Sequence, residues 1–340
     1  MINYILTFTI LIGLFLIILP IRLNKTVDDS FLSKDYTTVI KGVCSIIVIL
    51  VHIPIMYQNK LQDGIGSFAY ICVTLFFFIS AYGMTVCLKK KDYLKNFWRN
   101  RLISLLIPCL LINILSIVVY SFLNIRTFKW LSLLYVNPYV VQLLVFCLVF
   151  YGVHCFFKQK SNEYVGGVKQ DVIICTIILL ISLSLFLLNY GWKTEFCGLI
   201  YGILLARYKN LVVKIFQYDY IKKVIIGGLA SIMLGVIYLE CKTVYFWGDY
   251  LIKIILGISI IAFSFCMSSH LKFGNIVSNY LGKISYEIYL LHGPVIIVLM
   301  YSNITISSGC FILLTVSLTV IFSIIINKLS NYITAYFRVD

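Results

Sequence analysis

Apolar runs of about twenty residues, each closed by a short polar break, recur along this whole sequence and leave few folds open to it. A helix needs about 20 residues to cross a hydrocarbon layer, whereas a barrel strand needs about ten with alternating polarity. The runs fall at 2–20, 42–58, 67–88, 102–123, 133–157, 171–190, 194–206, 224–240, 250–269, 281–300 and 309–327, eleven in all. With 61% hydrophobic and only 12% charged residues, there is more apolar surface than one aqueous core can hide. The expectation is an all-α, polytopic transmembrane helical bundle of about 11 helices, without internal repeat or soluble domain. The first run lacks a basic start and a small-residue cleavage site, so it reads as an uncleaved anchor helix. The run at 194–206, starting near Trp192, is short enough for a re-entrant or partly buried helix instead.

The net charge of +15 sits in the breaks between runs, where topology accounts for it and no nucleic acid is implied. Counting Lys and Arg on alternate sides of the spans places 22 in the set of breaks that holds the basic segment 89–101. The other set holds six: Lys60, Arg126, Lys129, Lys193, Lys242 and Lys253. By the positive-inside rule the larger set faces the cytoplasm. The expected placement is multi-pass in the cell membrane, inner or plasma, with the N-terminus outside and the C-terminus cytoplasmic. Eleven cysteines are scattered without a Cys-x-x-Cys pair, and Cys44, Cys72, Cys109 and Cys175 fall inside apolar runs, so they read as small packing residues. His52, His154, His270 and His292 are dispersed with no His-x-x-x-His spacing, and no metal site is expected. His154 and His270 fall near cytoplasmic ends of their spans and read as interfacial.

Lys41-Gly-Val-Cys-Ser-Ile-Ile-Val-Ile-Leu-Val-His52-Ile-Pro54 carries a charge at one end and a histidine deep in apolar sequence. Ionisable groups in a membrane span are costly and ask for a functional reason. Eleven helical steps separate Lys41 from His52, about three turns, so both side chains share one face about 16 Å apart along the axis. Pro54 cannot donate to the carbonyl of Leu50, and is expected to kink the helix or open it beside His52.

These residues resemble the acyltransferase 3 family of integral-membrane acyltransferases, whose signature is an arginine, ten residues, then a histidine; here Lys41 stands in the arginine's place and His52 closes the spacing. Three more stretches are similar to the family: Phe-Phe-x-x-Ser within Phe76-Phe77-Phe78-Ile79-Ser80, the basic loop leading into Arg101-Leu-Ile-Ser-Leu-Leu-Ile-Pro108, and Leu281-Gly-Lys-Ile-Ser-Tyr-Glu-Ile-Tyr-Leu-Leu-His292-Gly-Pro294. The resemblance spans about 36–300 and implies a ten-helix core at 36–340, with residues 1–35 forming an added N-terminal helix and cytoplasmic loop. The family's second arginine, three residues after Arg101, is Ser104 here, and its Ser-Gly is Ser80-Ala81. Lysine at 41 keeps the charge but not the bidentate fork.

The resemblance implies an O-acyltransferase moving an acyl group, acetyl from acetyl-CoA, to a hydroxyl of an envelope or capsular polysaccharide or its lipid-linked precursor. Such a donor needs cations for its phosphates at the cytoplasmic surface, which Lys41, Arg99 and Arg101 supply, with Lys89 to Lys91 and Lys95 nearby. It needs a proton acceptor deeper in. His52 fits as general base, and a covalent acyl-histidine is the open variant. Ser80 reads as hydrogen-bonded to a neighbouring helix. Glu287 and Lys283, four apart with lysine first, read as structural, and Glu195 or Glu240 either orients His52, meets a sugar hydroxyl, or is simply interfacial. The rivals are a transporter or flippase for a lipid-linked sugar, which favours inverted repeats not found here, and a structural subunit of an export complex, which has no need of Lys41 and His52 on one face.

Overall fold

The computed structural model describes residues 2–24, 32–90, 92–125, 127, 130–160, 167–301 and 306–337. Lys91, Arg126 and Lys129, counted above among the basic residues, lie outside the described residues. Thirteen α-helices are formed among the described residues. In chain order they are α1 Ile2–Ile18, α2 Lys34–His52, α3 Lys60–Gly66, α4 Tyr70–Cys87, α5 Phe97–Phe122, α6 Pro138–Lys160 and α7 Val168–Leu187. There follow α8 Gly198–Gln217, α9 Tyr220–Cys241, α10 Lys253–Ser268, α11 Ile276–Lys283, α12 Ser285–Tyr301 and α13 Ser308–Phe337. Two short strands, β1 Arg22–Leu23 and β2 Leu271–Lys272, pair antiparallel and tie the end of α1 to the approach to α11.

Among the described residues nine helical stretches are long and apolar enough to cross a membrane, ten if α11 and α12, bent by 75° at their junction, count as one span. The apolar part of α1, Tyr4–Ile18, is shorter. Every apolar run read from the sequence is helical over most of its length, and the chain is an all-α polytopic membrane bundle.

Boundaries differ where a helix is not apolar throughout. The second helix begins at Lys34, not near 42, because Ser33 caps it: its Oγ accepts the Tyr36 amide at 3.2 Å and Asp35 sits in the first turn. It ends at His52, where the sequence allowed a helix to 58. The seventh span is longer than its apolar run, a 3₁₀ turn plus α8 giving Glu195–Gln217, 23 residues and long enough to cross. Arg207, Lys209 and Lys214 in its second half hide it from hydropathy.

Two apolar clusters make the interior. The larger gathers α4, α5, α6, α8 and α10 around Phe77, Phe78, Phe146 and Phe196; the smaller joins α2 to α12 and α13 through Ile49, Ile53, Ile288 and Phe311. Ile40, Cys44 and Val48 place α2 in the first cluster while Ile46, Ile49 and Leu50 place it in the second. α2 therefore packs into both clusters, with 12 of its 19 residues buried.

Glycines set the closest helix contacts. A Cβ on Gly42 would collide with the carbonyl oxygen of Ser278, and one on Gly282 with that of Thr38, so α2 and α11 meet backbone to backbone. Gly198-Leu-Ile-Tyr-Gly202 does the same for α8, whose glycines lie against the carbonyls of Thr74 and Phe78 in α4. Apolar burial drives helices together weakly inside lipid, so close approach through small residues carries much of the association. Gly42→Ala is expected to cost about 1–3 kcal/mol by forcing α2 off α11, whereas Gly83→Ala, whose Cβ would meet nothing within 4 Å, is expected to be neutral or stabilising. Size-exclusion profiles after heating in detergent check the difference.

Candidate active site

The end of α2 is built by a proline and two amides. Pro54 has no N–H, so the Leu50 carbonyl loses its helical donor and the helix stops two residues earlier. The side-chain amide of Gln62 replaces that donor, giving Nε2 to Leu50 O at 2.9 Å. Gln58 Nε2 donates to Val51 O at 3.2 Å and to Ile53 O at 2.7 Å. Gln62 is wholly buried and held by Asn59, which accepts the Gln62 amide N–H at 2.9 Å and donates its own to Gln62 Oε1 at 3.1 Å. Pro54 thus opens the helix rather than kinking it, and a capped α3 follows.

His52, the last residue of α2, is exposed rather than deep in an apolar run, because the helix stops at it. Its Nδ1 lies 2.8 Å from the Val48 carbonyl. A carbonyl only accepts, so Nδ1 carries the hydrogen, and in the neutral ring Nε2 keeps a lone pair. The His292 ring packs edge-on to that of His52, with centroids 4.8 Å apart. The sequence offered one hint of this pairing, the repeated His-x-Pro pattern. In α12 the helix continues through Pro294, so His292 is mid-helix and buried.

Toward the start of α2, the half-buried Lys41 lies within electrostatic reach of Glu287. Glu287 is buried in the first turn of α12, and its Oε1 accepts from Asn327 Nδ2 at 2.9 Å. The break at Ile284 leaves Lys283 exposed, without an ion pair to Glu287. Arg99 Nε donates to the Phe337 carbonyl at the end of α13 at 2.9 Å, and Arg101 donates to Tyr93 Oη at 3.2 Å with its guanidinium 5.9 Å from the Phe97 ring. Among the described residues no hydrogen bond joins Lys41 to either arginine.

Other sequence candidates take structural places. Ser80 Oγ bonds Phe76 O of its own helix at 2.8 Å and also meets the hydroxyl of Tyr139 in the neighbouring α6. Glu195 is buried and paired with Lys253 at 3.1 Å, while Glu240 is exposed. His154 is not interfacial but wholly buried, with its ring 4.6 Å from that of Phe150. His270 is half-buried, stacked on Tyr220 with centroids 3.8 Å apart. Phe77 and Phe78 of the family-like motif are core residues. The cysteines are free, and among the described residues no group of three His, Cys, Asp or Glu is placed to hold a metal.

Next to His292 lies a cavity of about 870 Å³ between the second half of α5, Thr127, the segment 131–137 and α12. Nothing in the sequence marks it, because its walls come from stretches far apart in the chain.

A family model described as an acyltransferase domain, that of the acyltransferase 3 family, matches residues 34–328, nearly the whole chain. The chain belongs to that family, and it is a membrane acyltransferase. No curated protein and no solved structure matches it.

Loss of the amide that caps α2 tests how the site is held. Gln62→Leu leaves the Leu50 carbonyl and the Asn59 N–H buried without partners, and is expected to cost about 1–3 kcal/mol and to lower acyl transfer. Thermal unfolding and turnover of the same preparation check both.

Proposed function

We propose that this protein transfers acetyl from acetyl-CoA to a hydroxyl of an envelope or capsular polysaccharide or its lipid-linked precursor, with His52 as the general base. The observation that carries this reading is the bond from His52 Nδ1 to the Val48 carbonyl, which leaves Nε2 able to take a proton. The acceptor oxygen attacks the thioester carbonyl carbon as its proton moves to Nε2. The C–S bond then breaks, and the proton on the imidazole passes to the departing sulfur. No net oxidation or extra reactant is needed.

The donor enters from the end of the bundle that carries the basic loop, placed in the cytoplasm by the positive-inside count, with the C-terminus on the same side. Lys41, Arg99 and Arg101 meet its phosphates there. Arg101→Ala is expected to raise the acetyl-CoA requirement roughly ten- to a hundredfold, the value of one charge-assisted contact, with little change in maximal rate. Initial rates against acetyl-CoA concentration check it, and an unchanged requirement would show that Arg101 serves topology alone.

His52→Ala is expected to leave an inserted protein that transfers at least about 10²-fold more slowly. His52→Gln is expected to fail alike, because an amide keeps hydrogen bonds but takes no proton at neutral pH. Mass spectrometry of envelope glycans from strains with equal protein levels reads the outcome. Normal acylation with His52→Gln would end the assignment.

A further inference from the structure

The cavity beside His292 lies at the far end of the bundle from the arginines. α5 passes both: Arg101 is in its second turn, and Ser116 on the cavity wall lies fifteen residues further, about 22 Å along the axis. The lining suits a ligand that offers many hydroxyls. Ser116, Ser121, Ser132 and Tyr135 contribute hydroxyls, Asn113 its Oδ1 and Asn137 its Nδ2, interspersed with Ile and Leu, and among the described residues no Lys, Arg, Asp or Glu lines it. Among the described residues, a nucleotide's phosphates find no cation there. Sugar rings, by contrast, are held by neutral amides and hydroxyls, with tyrosine rings against their C–H faces.

One wall is deliberately fixed. Asn113 Nδ2 donates to Leu133 O at 2.9 Å and to Tyr135 O at 2.7 Å, pinning the segment before α6 against α5. His292 closes the inner side, and the ring of His52 lies behind it, outside the lining. A group held against His292 in the cavity is therefore one ring away from His52.

We propose that this cavity is the acceptor subsite, that it takes a hydroxyl-rich sugar ring arriving from the end opposite the basic loop, and that His292 is the positioning residue that aligns the acceptor hydroxyl toward His52. This rests on the reading of the chain as an O-acyltransferase with His52 as base. Donor and acceptor then enter from opposite ends and meet at the two histidines. His292 acts by hydrogen bonding, so an amide replaces it where His52 admits none.

The test uses the purified full chain in nanodiscs. Ser116→Cys places a thiol on the wall, and its alkylation by a polar maleimide is measured over the background of the parent protein. A panel of gluco-, galacto-, manno- and N-acetylamino-oligosaccharides is expected to include at least one that slows labelling about fivefold or more, while acetyl-CoA does not. Slowing by acetyl-CoA alone, or by nothing in the panel, overturns the proposal. Labelling needs no turnover, so protection by a sugar without any acyl transfer would sink the activity and leave the subsite standing. With the protecting sugar as acceptor, His292→Ala is expected to raise its KM about tenfold at unchanged acetyl-CoA KM, and His292→Gln to restore most of it. A rise in the acetyl-CoA KM, or a His292→Gln variant as inactive as His52→Gln, would refute the positioning role.

Discussion

Backbone contact between α2 and α11 at Gly42 and Gly282 is the constraint on which the rest depends. With side chains absent from both crossing points, α2 sits deep enough to be shared by two apolar clusters, and its far end comes level with α12. That depth brings His52 against His292 and Lys41 within reach of Glu287. Had either glycine carried a side chain, α2 would stand off its neighbours, and helices in lipid have little apolar driving force to close such a gap.

The end of α2 then fixes where His52 stands. A proline in a buried helix leaves a carbonyl unpaired, a cost of about 1–3 kcal/mol unless another donor arrives. Here Gln62 supplies it, locked by its reciprocal bonds with Asn59. The chain can therefore stop a helix inside the protein and leave a histidine at the stop. The ring is oriented by a carbonyl four residues back in the same helix, so the free nitrogen is set by local structure and no third side chain is required.

Much of this was legible in the sequence, and the reasons for the rest are physical. Hydropathy finds helices through their apolar stretch, so it located every span yet missed the polar first turns of α2 and the charged second half of α8. Lys41 and His52 were legible because spacing along one helix is a property of the sequence. The partnership of His52 with His292 is not, since it depends on how α12 turns after the 75° break. Arg99 and Arg101 show the limit from the other side. Charge at a membrane surface marks the place of a residue, but only the fold reveals that one caps the end of α13 and the other rests on Tyr93.

The sharing of α2 between two clusters also bears on how a group can get from one face of the bundle to the other. A carrier that alternates its access needs a packed unit able to rock against its partner, with two good packings of similar energy. A helix gripped on both sides, with backbone against backbone at one crossing, has no second position of comparable quality. On the function proposed above, the histidine pair is a fixed waypoint, and the flexibility needed for passage belongs to the substrates: a long thioester arm reaching in from one side and a sugar hydroxyl from the other.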